Sequence, residues 1–363
     1  MKKIDRRLFA AALTAVAAAL VQPLAAHAQA SAPVPMIVIS QANEGGFPIW
    51  LAKHLGYFKE NGIDATIKFF PNGGAALASG AANDWQGGWI GSPPAITGWA
   101  KFGLVPIGTM MKEDRNIKLI MRKDALKGST PAEVLATKPI GSVPNSTWAQ
   151  VLFACAKHFN VDPMKMKVVP LDPPVTRQSL RSGEVASGMT DSSPDIDLVN
   201  DKANFEVVCD GKIAGTSVID PWIVTKKFAA ENPAAAARFA EAAFRSDEAI
   251  MKDREQAVKW LLEYYKDAGI DGNEAKARYT LSYRDYQTLD QALADARSGA
   301  TEKALTETAQ VLLPAARTTR CPTSTTRSRR DCRSSRRPRS CANRRAVVDA
   351  GAAHAARCGM IVR

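Results

Sequence analysis

The residues best suited to chemistry in this 363-residue chain are small, polar and gathered in four short stretches. Gln41, Asn43, Glu44 and Gly46 lead into Phe47-Pro48. Gly91-Ser92 leads into Pro93, Asn145-Ser146-Thr147 into Trp148, and Asp191-Ser192 into Ser193-Pro194. Where such residues open helices they offer hydroxyls, amides and unpaired backbone N–H groups, backed by about half a positive charge. That combination holds an anionic group without Arg or Lys. Glu44 stands apart, because a carboxylate opposes an anion; it either faces solvent or pairs with an amine, as in a zwitterion or an aminopyrimidine. Catalytic constellations are missing from the sequence. Between residues 31 and 314 the only histidines are His54 and His158, and no Ser-His-Asp set, paired His or metal-spaced cluster occurs. The expectation is binding chemistry with no metal and no cofactor.

The elements that position these loops are written twice. Met36–Ser40 is a β-branched run, followed by a polar loop and a helix that opens at Phe47-Pro48 and is closed by Gly56. About 100 residues later, Pro139–Val143 leads through Pro144–Thr147 into a helix carrying Trp148, Val151, Leu152 and Cys155 on one face. Trp50 and Trp148 are equivalent. Leu77–Gly80 is matched by Leu180–Gly183, each a helix end with a cap glycine, and Gly91-Ser92-Pro93 by Ser192-Ser193-Pro194. Ser-Pro in both reads as an N-cap followed by proline at the first helical position. Four matches in order predict a structural duplication. Alternating strands and helices give parallel βαβ units, whose ligands sit at the carboxyl ends of the strands, so all four loops aim at one cleft between two lobes. Ser92, Ser146 and Thr147 can cap and bind at once. Trp85, Trp89 and Trp99 read as lobe core, His54 and His158 as packed or surface residues, and Arg177 and Arg181 as solvated. Cys155 and Cys209 sit among apolar neighbours and read as buried thiols, although an exported protein permits a disulfide.

The formal charge of +12 suggests nucleic acid until it is located. The first thirty residues carry +3 and residues 315–363 carry +11, which leaves the body at −2. Lys2, Lys3, Arg6 and Arg7, the uncharged run Leu8–Leu20, and the small residues around Ala28 and Ala30 make residues 1–30 an export signal, with an Arg6-Arg7 pair resembling a twin-arginine motif. The mature protein is expected in the periplasm. From Ala315 the chain switches to 13 Arg with no Lys and holds four of the six cysteines in no zinc spacing. Its codons for residues 320–330, read two nucleotides on, permit an ordinary strand-and-helix sequence. The expectation for 315–363 is a disordered frameshifted tail rather than a nucleic-acid arm.

Residues 36–313 resemble periplasmic substrate-binding proteins of the nitrate/sulfonate/taurine ABC importers. The resemblance is carried by Gly56–Ile63 (GYFKENGI), by Gly73–Leu77, by Gly91-Ser92-Pro93-Pro94 and by Ile219–Trp222. It implies an α/β, type II periplasmic binding protein fold with two lobes of mainly parallel sheet, residues 31–121 plus 221–314 and residues 122–220, closing on a ligand by hinge motion. It also implies a monomer that delivers its solute to a membrane permease and ATPase complex. The first ligand loop of the family corresponds to Asn43, Gly45 and Gly46, and its second-lobe counterpart to Asp191 and Ser192. Trp222, after the return hinge, would wall the cleft or pack in the core. Same-fold enzymes, desulfinases of aromatic sulfinates and thiamine-pyrimidine synthases, are the alternative, but Gln41–Phe47 holds no Cys nucleophile and no Cys-rich motif is present. A solute receptor feeding a sensor is a further alternative.

Overall fold

Short apolar runs punctuated by glycine and proline do separate this chain into alternating strands and helices. The computed structural model describes residues 32–80, 84–191 and 195–318, and the statements below concern those residues. The first series is β1 (Val34–Gln41), α1 (Phe47–His54), α2 (Tyr57–Glu60), β2 (Ile63–Phe70), α3 (Gly73–Gly80), β3 (Gly87–Trp89), α4 (Ser92–Phe102) and β4 (Leu104–Lys112). The second is β5 (Lys118–Arg122), α5 (Pro131–Thr137), β6 (Pro139–Ser142), α6 (Thr147–His158), β7 (Lys167–Pro170), α7 (Pro173–Ser182), β8 (Ser187–Thr190), α8 (Ile196–Asn200) and β9 (Phe205–Asp210). After β10 (Ile219–Thr225) come α9 (Lys226–Glu231), α10 (Pro233–Lys252), α11 (Arg254–Ala268), α12 (Glu274–Tyr283), β11 (Asp285–Tyr286), α13 (Leu289–Arg297) and α14 (Ala300–Thr318).

Two sheets result, and the expected duplication is visible in their strand orders. The first runs β2-β1-β3-β10-β4-β11 and the second β7-β6-β8-β5-β9. Strand for strand, β1 matches β6, β2 matches β7, β3 matches β8 and β4 matches β9. The pairings β1–β2, β1–β3, β6–β7 and β6–β8 are parallel. In each sheet one inner strand runs the other way: β10 is antiparallel to β3 and β4, and β5 to β8 and β9. That strand is the one the chain lays down on arriving from the other sheet. Lys118–Arg122 therefore pairs within the second sheet, ahead of the boundary expected at 121/122, and the two crossings are residues 113–117 and 211–218.

Each sheet has its own core. Phe47, Phe58, Trp222, Phe239, Phe244, Leu261 and Tyr264 pack on the first, and Trp148, Val151, Leu152, Met189 and the two cysteines on the second. Burying each large side chain contributes about 1.5–3 kcal/mol. Trp222 corrects the idea of a cleft wall: it is fully buried, and its indole N–H donates to Asp247 Oδ2 at 3.1 Å on α10. A buried indole needs such an acceptor, and this strand face meets α10 rather than the cleft. The thiol reading is corrected too, because Cys155 and Cys209 form a disulfide. Apolar neighbours had argued for thiols, but α6 packs on β9 and brings the two Cα atoms to 6.0 Å. His54 stacks on Trp50 at 4.4 Å, as a packed histidine should. Finally, α14 lies against α4 of the first lobe and α6 of the second, with Val311 and Leu312 on the second core.

Candidate functional site

The first loop is a single 3₁₀ turn, Glu44–Gly46, capped by Asn43, whose side chain accepts from Gly45 N–H at 3.0 Å. Tyr264 OH, from α11, donates to the Asn43 carbonyl at 2.7 Å and clamps the turn from below. A Cβ on Gly46 would lie 2.4 Å from the Gln41 carbonyl and 2.5 Å from Tyr264 OH, so only glycine fits. Gln41 and Glu44 are buried beside it. Phe47 departs from the expectation of a ligand contact: its ring is wholly in the first core, 5.9 Å from the ring of Tyr264. Only its backbone remains at the loop.

The second and third loops meet each other. Ser92 is not the cap of α4; Gly91 holds that position and Ser92 is the first helical residue. Pro93 and Pro94 follow, so the positions that usually need a capping acceptor carry no N–H, and glycine suffices there. The Ser92 hydroxyl is released and bonds to Gln150 Oε1 on α6 at 3.3 Å. Ser146 does cap α6, accepting from Ala149 N–H at 3.4 Å, while Asn145 turns the chain at φ +50° and is exposed. A Cβ on Gly91 would stand 3.1 Å from the Thr147 methyl and 3.5 Å from Asp220 Oδ1. The two helix openings thus approach across the cleft.

At the fourth loop, Asp191 N–H donates to Asp195 Oδ2 at 3.2 Å, and buried Asp195 accepts from Arg177 Nη1 at 3.0 Å. Arg177 is therefore a support of this loop and not a solvated side chain. Ser192 lies outside the described residues. Burial pushes the Asp191 carboxyl up to about 8, helped by the neighbouring carboxylates of Asp195 and Glu44 and opposed by Arg284.

Those charges expose what loop-by-loop reading missed. Arg284, between α12 and β11, is 3% exposed; its Nε donates to Glu113 Oε1 at 2.9 Å, and its Nη1 has no partner. Glu113 Oε1 also accepts from Asn116 Nδ2 at 2.8 Å. Asp220 is raised well above the usual carboxylate range by burial and by the neighbouring Glu113 carboxyl. Glu44 is 2% exposed and its Oε1 has no partner. A guanidinium with an unpartnered Nη1 is thus buried within electrostatic reach of the Glu44 and Asp191 carboxyls, a set chemically able to donate to an oxyanion and accept from a cationic N–H. No motif surrounds Arg284. Asp220 lay within Ile219–Trp222, where the tryptophan drew the attention.

Known proteins resemble this chain in sequence and in fold. The sequence profile of the family described as NMT1/THI5 like matches residues 43–257, which include loop residues Asn43 through Asp191 but stop short of Arg284. The taurine-binding periplasmic protein of Escherichia coli (strain K12) is 26% identical over 263 residues, covering 70% of this chain and 79% of that protein. The alkanesulfonate-binding protein SsuA from Xanthomonas axonopodis pv. citri, bound to MOPS, superposes with a TM-score of 0.60 at 15% identity, over 76% of this chain and 95% of that one. The periplasmic nitrate-binding protein NrtA from Synechocystis PCC 6803 gives 0.61 at 10% identity, over 81% and 84%. A profile match across more than half its length makes this chain a member of the NMT1/THI5-like family, and its two like-ordered α/β sheets have the periplasmic binding protein fold.

Proposed function

We propose that this protein is the extracytoplasmic solute-binding component of an ABC importer, and that its solute is a small organic molecule bearing both an anionic group and an amine. The observation that supports the reading is that buried Arg284, with an unpartnered Nη1, feels the charge of buried Glu44, with an unpartnered Oε1. Arg284 and the helix opening at Thr147 receive the anionic end, and the Ser92 hydroxyl lies on the side of the amine. Glu44 and Asp191 receive the amine. Relatives named for taurine, alkanesulfonate and nitrate bracket the solute class; of the three, an aminoalkanesulfonate uses both charges, whereas nitrate would leave Glu44 facing an anion.

Capture proceeds by closure of the lobes about residues 113–117 and 211–218, and the closed monomer hands its solute to a permease and its ATPase without turnover or nucleic acid. Residues 1–30 direct export and are removed, so mass spectrometry of the periplasmic protein should find Gln29 or Ser31 at its start. Calorimetry of the mature protein with taurine, propane-1-sulfonate and nitrate tests the solute class. Taurine should bind tightest, and at a hundredfold excess over its Kd it should stabilise the fold by about 2.7 kcal/mol. Equal or tighter binding of nitrate would overturn the assignment.

A further inference from the structure

Gln150, in the first turns of α6, is fully buried and joins three parts of the molecule. Its Nε2 donates to the Ser217 carbonyl at 2.9 Å, in the segment leading into β10. A carbonyl oxygen can only accept, so this bond fixes which end of the amide faces which way. Oε1 is thereby turned to Ser92 Oγ, 3.3 Å away across the cleft, and the hydroxyl has to donate to it. A serine hydroxyl has one proton and two lone pairs. With its proton committed to Gln150, Ser92 offers a solute acceptor sites only.

We infer that Gln150 determines specificity: by holding Ser92 as an acceptor, it makes the opening of α4 select a solute that brings an N–H donor and resist one that brings only anionic oxygens. Without Gln150 the hydroxyl is free to turn and donate to an oxyanion, as helix openings generally do. Because Ser92 and Gln150 lie on opposite lobes, the selection operates in the closed state, where the solute is committed. The inference rests on the amine-bearing solute class proposed above and deepens it.

The test is calorimetry of the mature protein and its variants with taurine and with propane-1-sulfonate, in which a methyl group replaces the amine. Gln150→Leu should narrow the preference for taurine by about three- to tenfold, the net worth of one hydrogen bond. Gln150→Glu, whose buried protonated carboxyl donates and accepts as the amide does, should retain the preference. Ser92→Ala, a change too small to unfold a lobe, should narrow the preference by weakening taurine more than propane-1-sulfonate. If Gln150→Leu weakens both compounds equally, the residue only fastens the lobes and the inference fails. A greater loss for propane-1-sulfonate in Ser92→Ala also overturns it. If the unsubstituted protein binds neither compound, or does not prefer taurine, the solute class itself is wrong and the inference falls with it.

Discussion

Arg284 holds its place through one strong bond, Nε to Glu113, and leaves Nη1 without a partner. Replacing it with methionine removes a charged hydrogen bond to the solute and strands Glu113, so Arg284→Met should weaken binding about 10- to 100-fold by calorimetry. Arg284→Lys should not restore affinity, because a point charge cannot reproduce the fork. Glu44→Gln should weaken taurine by a similar factor and leave propane-1-sulfonate nearly unchanged. Asp191 adds a pH signature. Its carboxyl is raised from 3.8 to about 8, so between those values the folded protein holds a proton that the unfolded chain has lost. Stability therefore falls as pH rises through that window and levels off above it. Affinity for an ammonium runs the opposite way, since it needs the carboxylate: binding should tighten toward about pH 8 and release a proton, read as a buffer-dependent calorimetric heat. Sequence alone located the four loops because glycine, serine and proline at helix openings announce themselves. It did not locate Arg284, whose meaning lies in burial and in neighbours distant along the chain, Glu113 and Glu44.

Among the elements, the openings of α4 and α6 both carry a serine and are built differently. Ser146 caps its helix, and Ser146→Ala should lower stability by about 0.5–2 kcal/mol in a denaturant titration. Ser92 caps nothing, so Ser92→Ala should leave the helix start intact and act by stranding buried Gln150 Oε1, a loss of about 1–3 kcal/mol, while altering binding. The difference was not readable from Ser-Pro; it follows from the second proline, Pro94, which removes a further donor and shifts the cap to Gly91. The Cys155–Cys209 bond fastens α6 to β9 across 54 residues. On the chain-entropy account a loop of that size is worth about 4 kcal/mol, so paired Cys→Ala replacement should bring the denaturant midpoint down by that equivalent. Elements and their order were legible throughout, since strand runs and helix stops are local. The disulfide was not, because it depends on which helix packs on which strand.

In the whole molecule the two lobes are joined by more than the crossing segments 113–117 and 211–218. The helix α14 packs on α4 in the first lobe and sets Val311 and Leu312 on the second core. It is a third link between the lobes, and its grip on α6 biases them together. Val311→Asp should loosen the second-lobe end, raise the radius of gyration of the solute-free protein in solution scattering, and weaken binding while leaving the first core folded. An unchanged radius would mean that α14 follows the lobes and does not hold them.

The mirrored sheets also impose an order on folding. All five strands of the second sheet lie between Lys118 and Asp210, so that lobe can assemble from one continuous stretch. The first sheet cannot: β10, which separates β3 from β4, arrives only at Ile219, after the whole second lobe has been made. Closing so long a loop is slow, and in pulse-labelled hydrogen exchange the amides of β6 and β8 should be protected before those of β1 and β3. A chain that emerges amino end first, from a ribosome or through a membrane pore, thus carries β1 to β4 unpaired across their middle until residue 225 is clear. Were the chain exported as proposed, that delay would leave its leading lobe open until β10 had followed.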